Sequence, residues 1–339
     1  MKNSEELRMQ SEKKIKIVSM GKYLPKKVPS TDIEERYNIP SGWSEKYSGV
    51  KSRHQVTFEH NGYMGAKAAD EALTNAKMKL DDMCLLISAS GTYDYPIPNQ
   101  ASIIKQEMRD GHKSDVPAID IDSTCLSFVS AFEYACRMLD GINYKNILII
   151  SSEISSKGLN PNNWETLTLF GDAAVATILS YDEKSNSTFI KAGLKTYSEG
   201  AELTIIKGGG NKNHFKENPY TDEMYTFNMQ GKNLLRLARK KLPNFMDWFF
   251  NDIPYELKKI DAIIPHQASK TGMIIFENLY QLKKNQVKAT LKEYGNCIAA
   301  SIPLTLYNHI ENGEIKRGDV CLLLGTSAGF SIGASLFKY

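Results

Sequence analysis

The sequence predicts an α/β fold made of two similar halves, and three observations carry that prediction. Short β-branched or aliphatic runs alternate with stretches of helical periodicity, the pattern of strands buried between helices. The chain also echoes itself. Cys125 opens a helical segment that ends at Asp140-Gly141 before a strand at 146–152, and Cys297 opens another that ends at Asn312-Gly313 before a strand at 319–325; the cysteine-to-glycine spacing is 16 in both. Finally, each half closes on a strand of small residues, at 171–177 and at 329–335.

Taken in order, strands are expected at 15–20, 83–89, 117–122, 146–152, 173–180, 188–193, 259–264, 319–325 and 331–338. Helices are expected near 62–78, 98–109, 126–140, 231–250, 270–282 and 299–311. The 339 residues divide into an N-terminal extension at 1–14, a first half at 15–185 and a second at 186–339, joined around 185–230. Two related halves packed about a pseudo-twofold would bring equivalent loops together near the axis, so that Cys125 and Asn296 face one cavity.

Composition narrows the function. Apolar residues make up 42% and charged residues 24%, as in a folded globular protein, and a net charge of +3 is too small for a nucleic-acid binder. Five widely spaced cysteines form no C-x-x-C pair and no zinc pattern, so they read as reduced and no metal is expected. With no apolar leader and no run long enough to cross a bilayer, a cytoplasmic enzyme without membrane attachment is expected.

Cys125 falls where a strand at 117–122 gives way to a helix with Leu126, Phe128, Val129, Phe132, Cys136 and Leu139 at helical spacing. Unpaired N–H groups and the positive end of the helix dipole would favour a thiolate there and hold a developing oxyanion. A packed core cysteine fits the same junction, and Cys84, Cys136 and Cys321 read as such. His266 follows a strand and Pro265, just past the carboxyl end where α/β sites gather. Asn296, after Gly295 and before a small-residue helix, can donate without titrating, although an N-cap role uses the same residue. The glycine-rich run at 325–329 permits close backbone approach. A thiolate, a neutral histidine, an amide donor and a glycine-rich backbone suit acyl transfer through a thioester and stabilisation of an enolate.

These residues resemble the β-ketoacyl-acyl carrier protein synthase III group of condensing enzymes. The strings are DSTCLSF around Cys125, FGDAAVATIL at 170–179, IIPHQAS around His266, GNCIAASIPLTL around Asn296 and GTSAGFSIGASLF at 325–337, in family order over nearly the whole chain. The resemblance implies a thiolase-like duplicated fold in five αβαβα layers, and a homodimer. Cys125 would take an acyl group from acyl-CoA or an acyl carrier protein. His266 and Asn296 would bind the malonyl thioester, carried on acyl carrier protein or CoA, during decarboxylative condensation. The N–H groups of Cys125 and Gly329 would form the oxyanion hole. No cofactor is implied beyond CoA thioesters as substrates. Trp43 would stack on the CoA adenine, with Arg53 beside it, and Arg236 and Lys270 would dock the acidic carrier protein.

Departures from the family concern the substrate. Tyr47 stands where an arginine is common and Ser269 where an asparagine is common, while Leu126 and Ser127 replace a smaller Ala-Gly pair. Leu126 and Ser269 are therefore expected to shape substrate binding, and the resemblance is to members that condense longer or unusual acyl chains, in pathways to dialkylresorcinols, aryl polyenes or long-chain ketones. Two alternatives use similar residues: a non-condensing acyltransferase of the same fold acting on an alcohol or amine, and a papain-like cysteine hydrolase.

Overall fold

The computed structural model describes residues 13–339, and residues 1–12 of the expected extension lie outside them. Lys13 already pairs with Phe189, its N–H donating to the Phe189 carbonyl at 3.1 Å, just before β1 (Ile15–Tyr23) begins. A hairpin of β2 (Lys26–Pro29) and β3 (Ser52–Gln55) follows. The first large sheet is completed by β4 (Leu85–Ser88), β5 (Ala118–Asp120), β6 (Asn146–Glu153) and β7 (Ala173–Tyr181), in the order β1-β7-β6-β4-β5.

The second half repeats this plan. After β8 (Thr188–Thr196) and the short pair β9 (Thr204–Ile205) and β10 (Asn228–Met229) come β11 (Ala262–Pro265), β12 (Val320–Ser327) and β13 (Ser331–Lys338). Its sheet runs β8-β13-β12-β11, so β8, β13, β12 and β11 stand where β1, β7, β6 and β4 stand in the first. The parallel pair falls at the same place in both, β4 with β6 and β11 with β12. The position of β5 is held by Val287, which bridges in parallel to Ile263.

Helices make the remaining layers. Helices α1 (Asn61–Ala76) and α2 (Gln100–Glu107) cover the outer face of the first sheet, and α4 (Gly231–Phe250), which follows α3 (Ser127–Met138) in the chain, lies on β8 and β13 outside the second. Helix α5 (Lys270–Tyr280) follows β11. Between the sheets lie α3 and α6 (Ser301–Glu311): α3 touches β6, β8 and β13, and α6 touches β1, β7 and β11. The result is a five-layer αβαβα stack.

Strand β7 shows why its sequence reads as one apolar run. Ala173, Val175 and Leu179 point into the central core with α3 and α6, whereas Ala174, Ala176 and Ile178 point under α1. Both faces are buried, so alternation disappears. Full burial of a side chain such as Val175, Ile178 or Leu179 stabilises by about 1.5–3 kcal/mol.

Three details depart from the sequence reading. Each central helix is preceded by a 3₁₀ turn, Thr124–Leu126 and Ile298–Ala300. Cys84 is only half-buried, because β4 begins after it; its sulfur faces the Lys145 N–H at 3.5 Å. The β2/β3 hairpin and the helices Ser30–Arg36 and Trp43–Tyr47 were not anticipated.

Candidate active site

The nucleophile turn is built from side chain to backbone. Asp122 Oδ1 accepts the Thr124 N–H at 2.7 Å, and Ser127 Oγ accepts the Ser123 N–H at 2.9 Å while donating to the Thr124 carbonyl at 2.7 Å. Thr124 sits at φ 50°, in the left-handed region that a threonine rarely occupies. Cys125 is the next residue.

The second half holds the same turn. Asn296 Oδ1 accepts the Ile298 N–H at 2.9 Å, Ser301 Oγ accepts the Cys297 N–H at 2.9 Å, and Ile298 has φ 48°. Matching these bonds aligns Asp122 with Asn296, Thr124 with Ile298 and Cys125 with Ala299. The cysteine-to-cysteine echo in the sequence is thus out of register by two residues: Cys297 is the counterpart of Ser123. His266 aligns with Ala89, since the Ala89 N–H bonds the Ile150 carbonyl at 2.7 Å and the His266 N–H bonds the Leu324 carbonyl at 2.8 Å.

Cys125, His266 and Asn296 line one cavity of about 440 Å³. Backbone packing places each of them. The Asn296 N–H donates to the Leu169 carbonyl at 2.9 Å and its carbonyl accepts the Gly171 N–H at 3.0 Å, which ties it to the FGD segment. Gly295 makes this approach possible: its φ is +69°, and a Cβ there would stand 2.4 Å from the Leu169 carbonyl oxygen. After His266, the buried Gln267 rivets the loop, its Oε1 accepting from the Thr290 and Leu291 N–H groups at 2.9 and 3.0 Å. Asp172 accepts from the Val56, Ser155 and Ser156 N–H groups at 2.8–2.9 Å, which explains the aspartate of the FGD string.

Electrostatics corrects one expectation. The Ala328 N–H and the residue's own N–H do favour a negative sulfur at Cys125, but burial outweighs them and pushes the thiol up to about 12, with Glu153 and Asp122 adding to the rise. Near neutral pH Cys125 is therefore a thiol. Burial holds His266 down to about 4, so it is neutral near pH 7; its Nδ1 has no hydrogen-bond partner among the described residues. Asn296 commits its oxygen to the turn, which leaves its NH2 group as the donor.

The other expected residues divide. Trp43 and Tyr47 line the cavity, their rings 4.7 Å apart, and Ser269 lines it too while its Oγ caps α5 through the Gly272 N–H at 3.1 Å. Lys270 lies beside them, over Gly49. Ala328 lines the cavity and Gly329 follows it at φ +77°. Arg236 is exposed on α4 outside the lining, while Lys232 and Arg239 reach it. Leu234, Leu235, Ala238 and Leu242 form a wall of the cavity, and Leu234, Ala238 and Leu242 also pack against the core of the second half.

Two expectations fail. Arg53 does not face a CoA-binding surface: it is fully buried, its Nη2 donates to Ser30 Oγ and the Thr168 carbonyl at 2.8 Å each, and Glu34 supports the charge that burial disfavours. Its place on the hairpin strand β3 turns it inward. Leu126 does not line the cavity either; it is fully buried and packs against Gly325 and Gly333 in the central core. Sequence reasoning also passed over Glu153, a buried carboxyl group facing Cys125 whose one signal was an acid closing a strand with an aliphatic centre.

A duplicated five-layer fold with a cysteine at a helix-opening turn, facing a neutral histidine and an amide donor, defines an acyl-transferring enzyme of the condensing type. Family models agree: 3-oxoacyl-[acyl-carrier-protein] synthase III matches residues 119–198, and its C-terminal model matches 251–339. The β-ketoacyl-[acyl-carrier-protein] synthase III of Neisseria gonorrhoeae is 32% identical over 96% of this chain and 99% of its own, and that of Vesicomyosocius okutanii is 30% identical over 96% and 98%. The chain belongs to the β-ketoacyl-[acyl-carrier-protein] synthase III family. Among solved structures, the 3-oxoacyl-[acyl-carrier-protein] synthase III of Aquifex aeolicus superposes with a TM-score of 0.85 at 26% identity, covering 96% of this chain and all of that one. Xanthomonas campestris OleA (H285N) shares the fold, with a TM-score of 0.81 at 20% identity over 96% and 98% of the two chains. The papain-like reading is thereby overturned.

Proposed function

We propose that the chain condenses an acyl group carried on Cys125 with a malonyl thioester, releasing carbon dioxide and a β-ketoacyl thioester. The observation that carries this reading is the meeting of Cys125, His266 and Asn296 in one cavity, with the histidine held neutral. The Cys125 sulfur attacks the acyl thioester carbonyl, and its proton leaves with the departing thiol. The N–H groups of Cys125 and Gly329 hold the oxyanion. A thiol pushed up by burial gives up its proton only as the new bond forms, so acylation is concerted with proton loss.

In the second stage His266 and the Asn296 NH2 group donate to the malonyl thioester oxygen. The electron pair of the breaking carbon–carboxylate bond becomes an enolate under those two donors, and the enolate carbon attacks the Cys125 thioester and expels the cysteine sulfur. A neutral histidine suits this task, because a buried imidazolium would surrender its proton rather than share it.

The substrates are acyl-CoA and malonyl-acyl carrier protein or malonyl-CoA, with no further cofactor. Trp43 and Ser269 contact the CoA arm at the mouth, where Lys232, Arg239 and Lys270 line the wall and Arg236 and Lys240 stand exposed for an acidic carrier protein. The enzyme works as a cytoplasmic homodimer. Largely hydrocarbon walls on α4 and α5 suit an uncharged, aliphatic acyl group. Among the described residues no helix is long and apolar enough to cross a membrane.

The test is intact mass after incubation with acyl-CoAs of graded length, followed by a chase with malonyl-carrier protein or malonyl-CoA. An acyl adduct mapping to Cys125 that the chase converts to β-keto product is expected. Absence of any adduct on Cys125 overturns the reading, and an adduct that passes to an alcohol or amine without release of carbon dioxide replaces it with simple acyl transfer.

A further inference from the structure

Glu153 closes β6, is fully buried and does not line the cavity. Its carboxyl group accepts the Gly91 N–H at 2.7 Å and the Thr92 hydroxyl at 2.5 Å, and the Ala299 N–H also points to it. These donors come from different places: the loop that follows β4 in the first half, and the turn of the second half that mirrors the nucleophile turn. Gly91 lies against both turns, for a Cβ there would stand 3.2 Å from Thr124 Cα and 3.5 Å from Ile298 Cγ2. One carboxyl group therefore fastens the loop on which the two turns rest. At the matching end of β12 the residue is Ser327, so the carboxyl group belongs to one half alone.

The same group carries a charge that Cys125 feels. Cys125, Cys297 and Asp122 face it; Asp172 also faces Cys297, and His266 stands neutral across the cavity. Burial pushes Glu153 up to about 8 against its three donors, so its ionisation falls near neutral pH rather than far below it.

We propose that Glu153 is a positioning residue for the nucleophile: it clamps the loop beneath the two turns and, by its own charge, governs how readily the Cys125 thiol gives up its proton. Protonated, it serves as a neutral clamp. Ionised, it keeps its hydrogen bonds but opposes a thiolate on Cys125. The proposal rests on the reading of Cys125 as nucleophile, and its test needs no acyl donor, so the two readings fail separately.

The experiment is alkylation of Cys125 by iodoacetamide in the full chain, quantified by peptide mass across about pH 6 to 10, for the wild type and Glu153→Gln. The glutamine keeps a clamp without charge. Its thiol should titrate lower, with roughly tenfold more thiolate and faster alkylation at a given pH above the ionisation of Glu153. A profile that superimposes on wild type, or one displaced equally at every pH from about 6 to 10, overturns the proposal. Should Glu153→Gln lose its near-ultraviolet circular dichroism, the wild-type profile decides: a logarithm of rate whose rise with pH flattens near pH 8 supports coupling to Glu153, and an unbroken unit slope overturns it.

Discussion

The turns at 122–127 and 296–301 share a backbone and differ in what they present. Both hold a non-glycine residue at positive φ, Thr124 and Ile298, and both use an Asp/Asn oxygen and a serine hydroxyl to take up the same two N–H groups. Onto that frame the first half places Cys125 and Asp122 where the second places Ala299 and Asn296, and the second supplies His266 where the first has Ala89. A nucleophile on one copy and two uncharged donors on the other make one site. Duplication supplies the geometry, and a few unmatched side chains supply the chemistry.

Replacing Cys125 with Ala gives the first turn the residue that Ala299 places in the second and should cost the most: condensation is expected to fall by about 10³-fold or more, with no acyl adduct by intact mass. Asn296→Asp likewise erases a difference, giving the second turn the first turn's acid. The oxygen can still accept the Ile298 N–H, but the donor is lost and a negative charge faces the enolate, so condensation should drop by roughly 10²-fold while acylation is spared; equal loss of both steps would contradict the assigned role. Gly295→Ala attacks the second turn's placement rather than its chemistry. With φ +69° and the Leu169 carbonyl at 2.4 Å from the new Cβ, a loss of about 2–3 kcal/mol is expected by denaturant unfolding.

The halves also pull stability in opposite directions with pH. His266 is held down to about 4 when folded, so the unfolded chain binds the extra proton below its ordinary value near 6.5, and stability falls as pH drops through that window. The loss is roughly 2 kcal/mol between about pH 7 and 5. Glu153, raised to about 8, binds its proton more tightly when folded, and its contribution fades as pH rises from about 4.5 through 8. Denaturant midpoints across pH for wild type and His266→Asn check this, since the variant should lose the acid-side slope. The smallest effect belongs to Asp122→Asn, which keeps the acceptor for the Thr124 N–H and removes an exposed charge that raises the Cys125 thiol. Alkylation at low salt should speed up about twofold, and high salt should erase the gain.

Much of this arrangement was legible in the sequence, because buried strands and amphipathic helices leave strong periodic signals. Strands such as β6 and β13 and helix α4 fall where the pattern puts them. The register of the duplication was not legible: two cysteines invited a pairing that hydrogen bonds to Ser127 and Ser301 show to be two residues off. Arg53 and Leu126 were misplaced for a related reason. Their neighbours in sequence lie close to the site, but strand alternation and core packing turn both side chains away from it. The β2/β3 hairpin escaped notice because four-residue strands with lysines at the edge carry no periodicity. Glu153 escaped because a lone acid at the end of a strand says nothing of the three donors that meet it from distant segments.

The leucines of α4 have a last consequence. Leu234, Ala238 and Leu242 pack with one side against the outer core of the second half and, with Leu235, end on a cavity with the other, so a bound hydrocarbon chain extends the packing that the polypeptide begins. Occupancy and cohesion of the second half are then one thermodynamic quantity, and whatever fills the cavity well also tightens the outermost layer over it.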